Sequence, residues 1–176
     1  MRRLVKEFTS QLTEALEIGI NANLNAPKNK INNVVITGLG GSGIGGKIAT
    51  QLVANQMQIP AVINNDYRLP YFVNENTLVI VSSFSGNTEE TLEALQAAQK
   101  AKAEIACITS GGKLAQIAKD HKYNLLVLPK AFSPRAMLTY SVIQQLFLFH
   151  HYGFINNQFI NDTKATVALL NTEENN

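Results

Sequence analysis

Five short apolar runs that alternate with segments of helical spacing constrain the fold of this chain most. The runs are "NVVITG" at 33–38, "AVIN" at 61–64, "TLVIVSS" at 77–83, "EIACITS" at 104–110 and "NLLVLP" at 124–129. The segments 43–56, 88–102 and 112–120 have the apolar spacing and the length of helices. Continuous apolar strands that alternate with helices are typical of a parallel sheet covered on both faces. The sequence therefore predicts a doubly wound α/β domain with five strands.

Helical spacing also marks both ends of the chain. Between Leu4 and Leu24 apolar residues recur at three- and four-residue intervals, which predicts an amphipathic helix. After the last strand come two helical segments, Arg135 to Tyr152 and Asn157 to Leu170, followed by the polar tail "NTEENN". We therefore expect three parts, which are an N-terminal helix over 1–32, an α/β domain over 33–152, and a C-terminal helix with a polar tail over 153–176.

Length, charge and cysteine content exclude several classes of protein. The 176 residues suit one domain, and the net charge of +2 comes from scattered Lys and Arg instead of the basic stripe of a nucleic-acid binder. The basic start "MRRLVK" is not followed by the apolar core of about 7 to 15 residues that a secretory signal needs. No apolar run approaches the roughly 20 residues of a membrane span. Cys107, the only cysteine, lies in the apolar "IACI", which predicts a buried thiol and a cytoplasmic protein.

A glycine-rich loop, "GLGGSGIGG" at 38–46, lies between the first strand and the next helix. It matches G-x-G-x-x-G through Gly38, Gly40 and Gly43, a pattern that also occurs in dinucleotide sites. Such a site needs an acidic residue about 20 residues further on. Asp66 is in that neighbourhood, but it lies past "NN". Alternatively, the glycines of this loop only permit a sharp strand-to-helix turn, although the loop contains more glycines than such a turn requires.

A hydroxyl-rich loop, "SSFSGNTEET" at 82–91, follows the third strand. Ser83, Ser85 and Thr88 would surround the N-terminus of the next helix, and Gly86 would leave backbone N–H groups open. Such a cradle suits a tetrahedral anion, and a terminal phosphate fits because its three oxygens need several convergent donors.

The same loop contains a helix-start signal. Asn87 followed three residues later by Glu90 is a capping-box pattern, which predicts that the helix begins at Asn87 or Thr88. A serine-rich turn that only caps this helix is the other interpretation. Loops after neighbouring parallel strands share one crevice, so that one loop would hold phosphate and the other an uncharged polyol. Together they predict a sugar phosphate as ligand.

These two loops, together with "TSGGKL" at 109–114 and "SPRAMLTYS" at 133–141, resemble the SIS domain of bifunctional phosphoglucose/phosphomannose isomerases. The resemblance runs from about Asn33 to Phe149. It implies a SIS-type three-layer sheet similar to flavodoxin-like and Rossmann-like folds. It also implies interconversion of glucose 6-phosphate or mannose 6-phosphate with fructose 6-phosphate through a cis-enediol intermediate, without a metal or nucleotide cofactor.

The resemblance assigns roles to individual residues. Arg135 would stabilise the charge of the enediolate, because an arginine is a cation that does not lose its proton. A surface arginine at a helix start after Pro134 is the alternative. The implied substrate-binding residues are Gly40, Gly41, Ser42, Ser83, Ser85, Gly86, Asn87 and Thr88, with Ser83, Ser85 and Thr88 on the phosphate and Gly40, Gly41 and Ser42 along the sugar.

The resemblance also implies that the chain is only part of an enzyme. Members of this family carry two SIS domains, and the second supplies the glutamate base and the ring-opening histidine. We expect this chain to be the N-terminal half, with 153–176 leading toward a second SIS domain that the chain lacks, and to be inactive or nearly so by itself. Local acids and histidines are weaker candidates for the base, because Glu89 and Glu90 suit the helix dipole and the histidines at 121, 150 and 151 suit surface or boundary positions.

The sequence is also compatible with two other functions, and it predicts association with another domain or chain. A non-catalytic SIS sensor would bind a sugar phosphate and would carry an output domain, whereas the N-terminal 32 residues contain one helix. A dinucleotide enzyme would rest on the glycine fingerprint alone. The apolar surface expected on helices 4–24 and 135–170 predicts a homodimer or contact with a second SIS domain. We expect neither a nucleic acid nor a membrane as partner.

Overall fold

A computed structural model describes residues 7–130 and 137–173. The described helices and strands are, in chain order, α1 (Phe8–Ile20), β1 (Asn33–Thr37), α2 (Gly41–Leu52), β2 (Ala61–Asn64), β3 (Thr77–Ser82), α3 (Glu89–Lys100), β4 (Glu104–Thr109), α4 (Gly112–Asp120), β5 (Asn124–Val127), α5 (Leu138–His151) and α6 (Gln158–Glu173). Each of the five apolar runs is a strand, as the sequence predicted.

The five strands form one parallel sheet in the order β2-β1-β3-β4-β5. β1 lies between β2 and β3, so that Val34 pairs with Ala61 on one side and with Leu78 on the other. The chain runs outward from β1 to β2 and then crosses back to β3. Ligands of open α/β sheets bind outside the carboxyl ends of the strands at such a reversal. The predicted five-stranded parallel sheet is confirmed, and the reversal marks where its ligand crevice should be.

Each face of the sheet carries its own hydrophobic core. Because successive side chains of a strand point to opposite faces, Val34 and Ile36 enter one core and Val35 enters the other. The first core contains residues of α1, α2, α5 and α6, and the second contains residues of α3 and α4. β3 and β4 are buried at every position, which explains their continuous apolar sequence. The arrangement is the predicted three-layer α/β fold, with six helices in the described residues.

Within the first core, helix α5 packs against two other helices, α1 and α2. It approaches α2 so closely that a Cβ on Gly45 would lie 2.2 Å from Ser141 Oγ. It also contacts α1, where Gln144 Nε2 donates to Ala15 O at 2.7 Å. The N-terminal helix, which the sequence predicted as a separate part over 1–32, therefore packs in the same core as the sheet.

A buried polar network lies at the amino ends of β4 and β5. Asn124 Nδ2 donates to Asn25 O at 3.0 Å and to the Tyr152 hydroxyl at 2.9 Å, and the Asn25 N–H donates to Asn124 Oδ1 at 2.7 Å. The Tyr152 hydroxyl donates to Glu104 Oε1 at 3.2 Å. Burial, and then the nearby Glu104 carboxylate, raise the pKa of Tyr152, so this hydroxyl keeps its proton. The network fixes the segment between α1 and β1 at the edge opposite to the carboxyl ends of the strands.

Several helix boundaries differ from the sequence prediction, and two of the differences lengthen a helix. α2 begins at Gly41, two residues before the predicted start, because the Ile44 N–H already donates to Gly40 O at 3.0 Å. α6 continues to Glu173 and thus includes the first half of the polar "NTEENN". In this last part of α6, Thr172 Oγ1 donates to Ala168 O at 3.0 Å. In the described parts of the chain, no helix combines the length and the apolar character needed to cross a membrane.

Candidate functional site

The loops after β1 and β3 meet at the carboxyl edge of the sheet. A Cβ on Gly38 would lie only 2.7 Å from Ser82 O, so the glycine loop is packed directly against the base of the hydroxyl loop. The loop after β4 joins them, since the Ser110 N–H donates to Phe84 O at 3.0 Å. The structure thus brings the two sequence-predicted loops together at the edge where parallel sheets bind ligands.

The glycine loop leads into helix α2 and is exposed at the N-cap residue, Gly40. Gly40 has φ 53°, a left-handed value that favours glycine. No described heavy atom other than its chain neighbours lies within 4 Å of the position that a Cβ on Gly40 would take. Gly41 and Ser42 form the first turn of α2, and the part of the chain that the structure describes gives this helix no side-chain cap. Gly40 is therefore the exposed point of the loop, and Gly41 and Ser42 follow it in a half-buried first turn.

The hydroxyl loop is folded around one buried serine. Ser83 is 3% exposed, and its Oγ lies 2.8 Å from Thr88 Oγ1 and accepts the Gly86 N–H at 3.2 Å. Ser85 is exposed, and its Oγ accepts the Asn87 N–H at 3.3 Å. The structure therefore brings Ser83, Ser85 and Thr88 together, with Ser83 buried beneath the exposed part of the loop.

The predicted capping box is wrong. α3 begins at Glu89 with Thr88 as its N-cap residue, and within residues 7–130 and 137–173 no side chain caps it. The Asn87 amide is turned to the next helix, where Asn87 Oδ1 accepts the Lys113 N–H at 3.0 Å. Glu90 lies beside the exposed Tyr67 phenol, whose pKa is raised first by desolvation and then by the neighbouring Glu90 carboxylate. A tertiary partner thus takes the Asn87 side chain that a local capping box would use.

The loop after β4 is also part of the site, although the sequence indicated it only through the family resemblance. It is hydrogen-bonded to the hydroxyl loop. Ser110 Oγ donates to Phe84 O at 2.7 Å, and the Leu114 N–H donates to Gly86 O at 2.9 Å. Thr109 is fully buried and its Oγ1 donates to Gly111 O at 2.9 Å. The signal in the sequence was a glycine pair between a strand and a helix, the same pattern as in the first loop.

The other candidate residues lie elsewhere or outside the described residues. Arg135 falls in 131–136, which the structure does not describe. His121 is exposed and stacks on Tyr123, as expected of a surface histidine. His150 and His151 lie at the end of α5, where His151 Nε2 lies 2.7 Å from Asn25 O, in the network at the amino edge.

Acidic side chains that could serve other ligands were located as well. The Asp66 carboxylate, the candidate for ribose recognition, is exposed and accepts the Arg68 N–H of its own loop at 3.5 Å. In the described residues, no group of three or more His, Cys, Asp or Glu side chains is placed to hold a metal ion.

Comparison with known proteins identifies the family of this chain. The SIS domain model matches residues 29–153. The chain belongs to the SIS domain family. This SIS domain is 46% identical over 151 residues to the bifunctional phosphoglucose/phosphomannose isomerase of Caldicellulosiruptor bescii, covering 86% of this chain and 44% of that protein. It is 40% identical over 109 residues to the protein of the same name from Thermoplasma acidophilum, covering 62% of this chain and 33% of that protein. The chain therefore spans less than half the length of these relatives, and the resemblance read from its motifs is confirmed.

Solved structures agree on the fold of the SIS domain. A candidate phosphosugar isomerase from Clostridium difficile 630 superposes with a TM-score of 0.72 at 18% identity, over 94% of this chain and 50% of that one. A protein of Escherichia coli CFT073 superposes with a TM-score of 0.60 at 20% identity, over 89% of this chain and 94% of that one. At these identities the likeness supports the three-layer fold.

Proposed function

We propose that this SIS domain holds the phosphate of a sugar phosphate in the turn at 83–88. The observation that carries the proposal is the N-terminus of α3, which no described side chain caps and which exposed or half-buried hydroxyls surround. Free N–H groups and the positive end of the helix dipole favour an anion, and Ser85 and Thr88 supply hydroxyl donors beside them. Ser83 supports Thr88 through the 2.8 Å contact between their hydroxyl oxygens.

The glycine loop would accommodate the sugar. Gly40, Gly41 and Ser42 form the start of α2, and no described atom beyond the chain neighbours of Gly40 lies within 4 Å of its Cβ position, which supports a place for a polyol here. Close approach of a ligand to backbone is a known use of glycine. The adjacency of the two loops supports a single ligand that contacts both, with its phosphate on one loop and its hydroxyl groups on the other.

The reaction would be an aldose–ketose isomerisation. The curated relatives carry the name phosphoglucose/phosphomannose isomerase, which supports conversion of glucose 6-phosphate or mannose 6-phosphate to fructose 6-phosphate through a cis-enediol. In this proposal Arg135 stabilises the oxyanion, since a fixed cation lowers the energy of charge that develops in the transition state. The proton-transferring base and the ring-opening group would come from a second SIS domain, so the 176 residues alone would turn over little substrate.

Association is part of the same proposal. Large apolar side chains of α1 and α6 remain exposed, including Phe8, Ile20 and Leu169. Exposed apolar surface of this kind favours a protein interface, and we propose that a second SIS domain or a second copy covers it in the cytoplasm. We also propose that the SIS domain extends over 33–152 and that 153–176 leads to the second domain. A homodimer measured by light scattering at micromolar concentration would support the second copy as occupant, and a monomer would contradict it.

Calorimetric titration with fructose 6-phosphate tests the phosphate site. The double variant Ser85→Ala with Thr88→Ala should reduce binding at least tenfold, because two hydroxyl donors to an anion are removed. Thr166→Ala is the matched control, since Thr166 Oγ1 is exposed on α6 and bonds within its own helix. Equal affinity of the double variant and the wild type would contradict the proposal. Saturable NAD binding without any response to sugar phosphate would instead favour a dinucleotide enzyme.

A further inference from the structure

The Asn87 side chain reaches from the start of one helix to the first turn of the next. The Lys113 N–H donates to Asn87 Oδ1 at 3.0 Å, and the adjacent Leu114 N–H donates to Gly86 O at 2.9 Å. α4 begins at Gly112, and its N-cap residue Gly111 has no side chain to offer. A cap normally accepts the N–H of the second or third helical residue. Asn87 and Gly86 therefore cap α4 from a loop more than 20 residues earlier in the sequence.

The same arrangement leaves α3 without a cap among the described residues. Asn87 is turned toward α4, and Thr88 Oγ1 is held by Ser83 Oγ at 2.8 Å. Had either side chain capped α3, it would compete with an anion for the first-turn N–H groups. The Asn87 amide thus caps α4 and leaves the first-turn N–H groups of α3 without a side-chain cap from the described residues.

Packing between the two loops leaves no room for an independent movement of the turn. A Cβ on Gly112 would lie 2.9 Å from Asn87 Oδ1 and 2.4 Å from Ser85 O. A Cβ on Gly86 would lie 1.9 Å from Gly111 O. Contacts this close mean that the turn at 83–88 follows the position of α4.

We propose that Asn87 is a positioning residue: by capping α4 it fixes the turn at 83–88 so that the N–H groups of α3 stay available to the substrate phosphate. The inference rests on the proposed function for the identity of the ligand. It differs from the role that the family resemblance implies, because Asn87 acts on binding through α4 and not through contact with the substrate.

Three variants of the full 176-residue chain separate positioning from direct contact. Asn87→Ala removes the acceptor. Lys113→Pro removes the donor N–H while leaving Asn87 intact, and proline is tolerated in the first turn of a helix. Lys113→Ala removes the ammonium group but keeps the N–H, so only a loss beyond that of Lys113→Ala counts as loss of the hydrogen bond.

Fructose 6-phosphate binding is measured by calorimetry for each variant. Asn87→Ala and Lys113→Pro should each weaken binding by about fivefold, the factor expected for one lost cap, and the double variant should bind no more weakly than either alone. Normal binding by Asn87→Ala overturns the inference. So does a loss in Asn87→Ala that Lys113→Pro does not reproduce, because Asn87 would then contact the ligand directly.

Amide hydrogen exchange gives a readout that needs no ligand. The Lys113 and Leu114 amides should exchange faster in Asn87→Ala and should regain protection in Asn87→Asp, which restores the acceptor. Unchanged protection in Asn87→Ala overturns the inference even if Lys113→Pro does not fold. A wild-type chain that binds no sugar phosphate would contradict the proposed function, while the exchange comparison would still decide whether Asn87 caps α4.

Discussion

At Gly86 a single hydrogen atom in place of a side chain permits the turn at 83–88. The residue has φ 69°, and its N–H and C=O are both engaged, by Ser83 Oγ at 3.2 Å and by the Leu114 N–H at 2.9 Å. A Cβ on Gly86 would lie 1.9 Å from Gly111 O, which is a severe steric clash. Backbone conformation and close packing therefore both require glycine.

Gly86→Ala should lower the free energy of unfolding by at least about 2 kcal/mol, the sum of left-handed strain and a steric clash with backbone. Gly153→Ala is the matched control. Gly153 has a similar φ of 78°, but no described atom beyond its chain neighbours lies within 4 Å of its Cβ position, so only strain of about 1 kcal/mol is expected. Urea denaturation followed by circular dichroism measures both. Equal losses in the two variants would show that the contact with Gly111 is not tight.

At the scale of elements, the distance between α2 and α5 is set by small residues. Gly45 faces Ser141, and a Cβ on Gly45 would lie 2.2 Å from Ser141 Oγ and 2.7 Å from Ser141 Cβ. Helices approach each other as closely as the side chains between them allow. Because α2 begins at the glycine loop, this contact also positions the part of the site proposed to lie along the sugar.

Gly45→Ala should reduce the free energy of unfolding by about 1 to 3 kcal/mol, since the added methyl overpacks the contact. In a Ser141→Gly background the same change should cost less, because both clashing atoms are removed, with a coupling of at least about 1 kcal/mol in a double-mutant cycle. Lys47→Ala, an exposed change on the same helix, should stay within about 0.5 kcal/mol. Additive effects of the Gly45 and Ser141 changes would contradict the contact.

At the scale of the whole molecule, three buried acids make the fold sensitive to alkali. Burial raises the pKa of the Cys107 thiol from 9.0 to about 12. Burial, followed by the hydrogen bond to the Glu14 carboxylate, raises the pKa of Tyr140, and burial with the Glu104 carboxylate raises that of Tyr152. All three groups keep their protons in the folded chain at pH values where the unfolded chain releases them. Proton release then favours the unfolded state, so stability falls as pH rises.

Cys107 should produce the first part of this fall. Below pH 9 the thiol is protonated in both states and contributes no pH dependence, whereas from pH 9 toward 12 it should lower stability by up to about 1.4 kcal/mol per pH unit. Urea denaturation at several pH values between 8 and 10 measures the slope. Cys107→Val, which retains an apolar side chain suited to a strand, should flatten it. Identical slopes for the variant and the wild type would rule out Cys107 as the source.

The sequence by itself determined the sheet, the helices and the chemistry of the loops. Apolar runs such as "TLVIV" fix the strands, because a strand buried on both faces needs apolar residues at every position. Four motifs in order were enough to recognise the SIS domain, since glycine and hydroxyl residues at a strand end depend on local geometry and on the ligand. Ser83, Ser85 and Thr88 could be selected in this way before the structure was known.

Only the tertiary structure determined how those residues are used. The pair Asn87 and Glu90 satisfies a local capping rule, yet Asn87 accepts the Lys113 N–H and Glu90 lies beside Tyr67. These partners are brought near by strand order, which a local pattern does not encode. A capping signal describes what a side chain can accept within its own turn, whereas the folded chain offers competing donors from neighbouring loops. That competition leaves the start of α3 without a side-chain cap from the described residues, and it makes an ordinary helix start a candidate phosphate site.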